Sequence, residues 1–137
     1  MDAIPNPGNA VNGRKLLDKK TGWCLKIMNH SRNGDNLEVL ECDRVDAFFI
    51  LEKGKLRDST TGLCIEVYDN SGDGANAPVY DCTETNTDFV FENGKFRDRK
   101  TNKCLEVYNT SRRHDDARVF NCRETDTDFI WIYGVIG

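Results

Sequence analysis

A chain of 137 residues with 38% hydrophobic and 31% charged side chains has enough apolar content for one globular core. Its net charge of −4 and its lack of a basic stripe argue against nucleic acid as a partner. No apolar run approaches the roughly 20 residues that a membrane-spanning helix needs, so membrane insertion is not expected.

Residues 1–12 carry Pro5, Pro7 and Gly8 and show no periodicity. They hold neither a basic n-region nor an apolar h-region, so no signal peptide is visible. From Gly13 apolar and polar residues alternate, the mark of half-buried strands, and the pattern recurs about every forty residues. Copy one, about 13–52, reads Leu16-Leu17-Asp18, Cys24-Leu25-Lys26-Ile27, Val39-Leu40-Glu41-Cys42 and Phe49-Ile50-Leu51. Copy two, about 53–92, predicts strands at 55–58, 63–69, 77–82 and 88–92. Between these lie Ser59-Thr60-Thr61-Gly62, Asn70-Ser71-Gly72-Asp73-Gly74 and Thr83-Glu84-Thr85-Asn86, all turn chemistry. Copy three, about 93–133, repeats the pattern with Gly94-Lys95-Phe96-Arg97-Asp98, Cys104-Leu105-Glu106-Val107-Tyr108, Val119-Phe120-Asn121-Cys122 and Thr127-Asp128-Phe129-Ile130-Trp131. The apolar tail Gly134-Val135-Ile136-Gly137 is a candidate contact for the leader or for a second subunit in a homodimer. Twelve short strands in three equal groups, none able to bury its face alone, predict a single all-β domain of closed threefold form.

The six cysteines, at 24, 42, 64, 82, 104 and 122, fall two per copy and always eighteen apart. Six cysteines permit 15 connectivities, and a thrice-repeated chain favours those that treat every copy alike. Pairing within each copy, Cys24–Cys42, Cys64–Cys82 and Cys104–Cys122, is the simplest, because it joins the ends of a β-hairpin. Zinc is the rival, but no CxxC spacing exists and His30 and His114 are loop residues, so no metal or other cofactor is expected. Disulfides in turn suggest an oxidising, extracellular setting.

The alternation also assigns faces. Ile65 and Val67, with Leu25, Ile27, Leu105 and Val107, form one inward set; Val39, Val79 and Val119, and Phe49, Phe89 and Phe129, join it. The other face holds Glu66, Tyr80 and Asp88 in copy two and Glu106, Phe120 and Asp128 in copy three. Copy one has Lys26, Leu40 and Phe48 there. A flat ring suits the C–H face of a pyranose, and carboxylates accept from vicinal hydroxyls, so copies two and three are candidate sugar sites. The plainer reading is ordinary outward strand residues, since aromatics favour strands.

Other constellations carry less. Asp69-x-Ser71-x-Asp73-Gly74 opens like a calcium loop, yet position 80 is Tyr and the flanks are strands. Asp18, Asp58 and Asp98 each precede a Thr by three, which reads as side-chain-to-backbone turn bonding. The pairs Glu66/Asp88 and Glu106/Asp128 have nothing predicted to separate their pKa values, so binding is favoured over glycoside hydrolysis. Asn29-His30-Ser31 and Asn109-Thr110-Ser111 are glycosylation sequons for a secreted chain.

The period, the Thr-Gly-x-Cys-[Leu/Ile]-Glu-Val segment and the second Cys eighteen residues later resemble the ricin-type lectin domain, over about residues 13–133. The resemblance implies a β-trefoil with one disulfide per repeat. It implies the sugar acid at Glu66 and Glu106, the aromatic platform at Tyr80 and Phe120, and the Asn position at Asp88 and Asp128. The family's Gln-x-Trp becomes Phe89-Val90-Phe91 and Phe129-Ile130-Trp131, so only Trp131 keeps its aromatic. By the same carry-over copy one lacks the binding set. The expected protein is therefore a secreted lectin without catalysis, binding galactose-type glycans at two places and able to agglutinate cells. The alternative from another class is a trefoil that binds protein through its loops, as an inhibitor or a toxin-targeting subunit.

Overall fold

The computed structural model describes residues 13–27 and 32–132, so the leader, the tail, His30 and the first sequon lie outside the described residues. Twelve strands follow one another: β1 (Lys15–Asp18), β2 (Trp23–Ile27), β3 (Leu37–Glu41), β4 (Phe49–Glu52), β5 (Lys55–Asp58), β6 (Leu63–Ile65), β7 (Val79–Asp81), β8 (Phe89–Glu92), β9 (Lys95–Asp98), β10 (Lys103–Glu106), β11 (Arg118–Asn121) and β12 (Phe129–Ile132). One short 3₁₀ turn, Cys42–Arg44, interrupts them. Several strands are shorter than the alternation predicts: the expected 63–69 stops at Ile65, and 77–82 shrinks to Val79–Asp81.

Each four-stranded sheet takes its strands from two neighbouring copies. The orders are β12-β1-β2-β3, β4-β5-β6-β7 and β8-β9-β10-β11. The last strand of one copy thus pairs antiparallel with the first strand of the next, in matching register: Leu51↔Leu56, Phe91↔Phe96 and, from end to start of the chain, Leu16↔Trp131. Backbone links carry the ring on, from Phe49 N to Arg14 O, Phe89 N to Gly54 O and Phe129 N to Gly94 O, all at 2.8 Å. At the far ends of the sheets, isolated bridges Asn36↔Pro78, Asn76↔Arg118 and Glu38↔Asp116 join one copy to the next. The hairpins β2–β3, β6–β7 and β10–β11 cap the ring and hold one another, as Gly34 N donates to Val79 O, Gly74 N to Val119 O and His114 N to Val39 O. This is a β-trefoil.

The inward set is buried as the alternation requires: Leu25, Ile65 and Leu105, Val39, Val79 and Val119, and Phe49, Phe89 and Phe129 are all 2% exposed or less. Copy three places the larger Phe96 where Leu16 and Leu56 stand, and its ring packs on Phe91 at 4.6 Å and Phe129 at 5.5 Å. Cys24–Cys42, Cys64–Cys82 and Cys104–Cys122 are bonded, each with Cα atoms 5.0 Å apart. Every one closes the loop of its own hairpin, which removes disorder from the unfolded chain.

The three aspartates form a threefold polar brace. Asp98 Oδ2 accepts from Thr101 N at 3.2 Å and Thr101 Oγ1 at 2.7 Å, while Oδ1 accepts from Asp88 N at 3.0 Å. Asp58 repeats this with Thr61 and Phe48 N, and Asp18 with Thr21 and Asp128 N. The turn bonding was legible in the spacing; the second bond, which ties each turn to the preceding copy, was not. A backbone twist recurs beside it, where Gly62 has φ +79° and its copy-three counterpart Asn102 has φ +62°. Asparagine is among the few residues other than glycine that adopt this left-handed conformation readily.

Candidate functional site

Strand β10 ends at Glu106, and the loop from Cys122 to Asp128 folds back over it. Thr127 is the hinge of that fold: its Oγ1 accepts from Val107 N at 2.9 Å and donates to Val107 O at 3.2 Å. Thr125 and Thr127 hydroxyls both donate to Glu106 Oε1. Copy two repeats the hinge, with Val67 N donating to Thr87 Oγ1 at 2.7 Å. Period-two alternation predicts Glu66 and Glu106 on an open outward face. The structure instead leaves them only 9% and 8% exposed, because the returning loop lies on them.

The aromatic positions stay at the surface. Tyr80 and Phe120 are half-buried, each meeting a second ring edge-on: Tyr68 at 6.1 Å and Tyr108 at 6.0 Å. Tyr68 and Tyr80 share a hydroxyl hydrogen bond of 2.8 Å. That bond, with burial and the charge of the adjacent Glu66, pushes the Tyr68 phenol up to about 12. Glu66, Tyr68 and Tyr80 therefore form one cluster. Glu66 Oε1 is buried within it and has no hydrogen-bond donor among the described residues.

In copy three the electrostatics are sharper. Burial, reinforced by the Asp126 carboxylate, raises Glu106 from 4.5 to about 7, against the lowering effect of Thr127 and Lys95. Asp126 itself is held well below the usual range by hydrogen bonds from Asn109, at 3.0 Å, and Lys20, with which it pairs at 3.2 Å. A buried acid beside an ionised one is a place where a proton, or a hydroxyl donor, is welcome.

Asp88 and Asp128 lie elsewhere in this arrangement. Asp88 Oδ1 is pressed against Gly54, where a Cβ would overlap it, and its Oδ2 lies 3.9 Å from Arg99 Nε. Asp128 does the same with Gly94 and Lys19. They brace the β4–β5 and β8–β9 turns. The group that approaches Glu106 is Asp126, two positions earlier; its copy-two counterpart is the exposed Asn86.

Copy one lacks each component in turn. Lys26 replaces the acid and donates to Ile27 O at 3.0 Å, and Leu40 is buried where Tyr80 and Phe120 surface. Val45 and Ala47, both buried, stand where the other copies have Thr85/Thr87 and Thr125/Thr127. The threonine pair thus occurs only with the glutamate. That covariation between copies was readable from the sequence, and it would have marked the loop as part of the site.

Asp73, from the calcium-like stretch, instead accepts from Lys103 Nζ at 2.6 Å and Asn121 N at 2.9 Å. His114 Nδ1 lies 2.7 Å from Glu38 Oε1, linking copies three and one.

Among curated proteins none matches the chain. Among solved structures it resembles a designed threefold-symmetric protein, ThreeFoil, at 23% identity and TM-score 0.68, covering 87% of this chain and 95% of that one. It also resembles the β-trefoil lectin of a Vibrio vulnificus hemolysin/cytolysin with N-acetyl-D-lactosamine bound, at 14% identity and TM-score 0.72, covering 94% and 99%. The agglutinin from Abrus precatorius matches at 15% identity and TM-score 0.73 over 96% of this chain, which spans about half (51%) of that chain. At such identities these likenesses speak to the fold alone. The model of the ricin-type β-trefoil lectin domain matches residues 14–131, nearly the whole chain, and the protein belongs to that family.

Proposed function

We propose that this chain is a glycan-binding lectin with two sites, one on the β6–β7 hairpin and one on the β10–β11 hairpin. In the first, Tyr80 is the platform for a sugar ring and Glu66 the acceptor for its hydroxyls. In the second, Phe120 and Glu106 take those roles, with Asp126 beside them. Asp88 and Asp128 act indirectly, by fixing the turns next to each loop. The observation that carries this reading is Glu66 Oε1, a buried acceptor with no donor among the described residues, beside a half-exposed tyrosine. Buried polar atoms without partners are rare in folded proteins, and a sugar hydroxyl supplies the missing donor.

Galactose-type sugars are the preferred class, by the resemblance to the family. The Phe120 platform offers no hydroxyl, so copy three depends more on stacking and copy two more on hydrogen bonding. Two weak sites on one rigid body give avidity for branched or surface-bound glycans, which is how a domain without catalysis agglutinates cells. The disulfides fit a secreted, extracellular protein. A glycan array with wild type and the Glu66→Gln/Glu106→Gln variant tests the reading. Wild type should select a defined sugar set that the double variant loses; equal binding by both would refute the assignment of the acids.

A further inference from the structure

A groove of about 460 Å³ lies on the other side of the copy-three hairpin, lined by Arg97, Asn102, Lys103, Asn121 and Arg123. Its volume is within the range of small-molecule sites. We propose that it binds an oxoanion, a sulfate or phosphate carried as an ester on a sugar. The groove is separate from the two sugar sites above; the anion rests on the groove's own residues, and its sugar carrier rests on the lectin reading.

Two independent observations point to an anion. The first is charge. At the groove's positions copy three holds Arg97, Lys103 and Arg123; copy two holds Arg57, Leu63 and Thr83, with Asp81 in place of Asn121. Copy one holds Leu17, Trp23 and Asp43, with Glu41 there. With the ion-pair partners counted, Glu92 and Asp73 in copy three, Glu52 in copy two and Arg113 in copy one, copy three keeps a net charge of +1 while the other two come to −1 each, so only copy three is cationic. In a chain of net charge −4 this concentration of positive charge is local.

The second is hydrogen-bonding polarity. Asn102 Oδ1 already accepts from Arg97 Nη1 at 3.0 Å, and Asn121 Oδ1 accepts from Arg123 N at 2.9 Å. Both amide oxygens are engaged inside the protein, and neither amide N–H2 donates in those bonds, so donors are what the pair chiefly offers the groove. The Thr101 hydroxyl donates to Asp98 and accepts from Lys103 N. Arg97 is steadied by Glu92 at 3.1 Å and Lys103 by Asp73 at 2.6 Å, which fixes both cations while leaving each with further N–H donors. Arg123 is exposed at the rim. A groove of donors and cations suits an oxoanion, whose oxygens only accept.

The test is an amide NMR titration of the intact chain with galactose 6-sulfate, galactose 6-phosphate and galactose. Both esters should shift the amides of Asn102, Lys103, Asn121 and Arg123 saturably, galactose should not, and the stronger ester identifies the natural group. Arg123→Glu should weaken the esters by roughly tenfold or more, while Lys100→Glu, an exposed charge reversal outside the groove, should leave them unchanged. Equal weakening by Lys100→Glu, or ester shifts confined to the Glu66 and Glu106 hairpins, would overturn the proposal. Shifts by plain galactose at those hairpins report the other sites and do not bear on this groove.

Discussion

Replacing Glu106 by Gln isolates one proton. The glutamine keeps the shape and still accepts from Thr125 and Thr127, but it cannot ionise. In the folded protein Glu106 is raised from 4.5 to about 7 by burial and by Asp126, so the folded state holds its proton more tightly than the unfolded chain does. The stability tied to that proton is fully present below pH 4.5 and is lost as pH rises through about 7. The full interval corresponds to roughly 3 kcal/mol. Asp126 is half in water, with 46% of its side chain exposed, and screening there reduces the effect to roughly 1–2 kcal/mol. For a chain of this size that is a melting-temperature difference of roughly 3–8 °C. Thermal melts of wild type and Glu106→Gln by circular dichroism, from about pH 4.5 to about pH 8, read it directly. The variant should melt higher at the alkaline end and converge with wild type at the acid end. A flat difference curve, or a variant that melts lower at about pH 8, would refute the account of this site.

Binding should carry the opposite sign. The copy-three acceptor is charged only above about pH 7, so in a Tyr80→Ala background glycan affinity should fall as pH drops from about 8 to 5.5, measured by calorimetry. Asp98→Ala removes the acceptor for Asp88 N and both Thr101 donors. Urea unfolding should show a loss of roughly 3 kcal/mol, and a loss below roughly 1 kcal/mol would contradict the brace. Gly54→Ala forces a side chain into a backbone of φ +79° and against Asp88 Oδ1. It should cost roughly 1–3 kcal/mol in the same assay.

The scaffold was legible because its determinants are local and thrice written. Cysteine spacing named the disulfides, and alternation named Leu25, Val79 and Phe129 as core. What local patterns could not reveal is where a loop returns. Glu66 and Glu106 read as outward because their strand neighbours Ile65 and Leu105 point in, yet burial was decided by Thr87 and Thr127, some twenty residues away. The same return puts Asp126 rather than Asp128 beside the acid. Pairing across copies, β4 with β5 and β8 with β9, was hidden for a related reason: a sequence repeat marks what is copied, and a sheet marks what touches. Lys55 and Lys95 are a third case. No local pattern shows where their ammonium groups go: Lys55 Nζ donates to Thr85 O, and Lys95 Nζ to Thr125 O and Thr127 O at 3.0 Å. They tie the site loop to the barrel.

The account's central claim is that copies two and three each hold one glycan and copy one holds none. Calorimetric titration with a glycan selected on the array measures this as a stoichiometry. Wild type should bind two per chain, Tyr80→Ala and Phe120→Ala one each, and the double variant none while it still unfolds cooperatively. Retained binding in a folded double variant would contradict the claim.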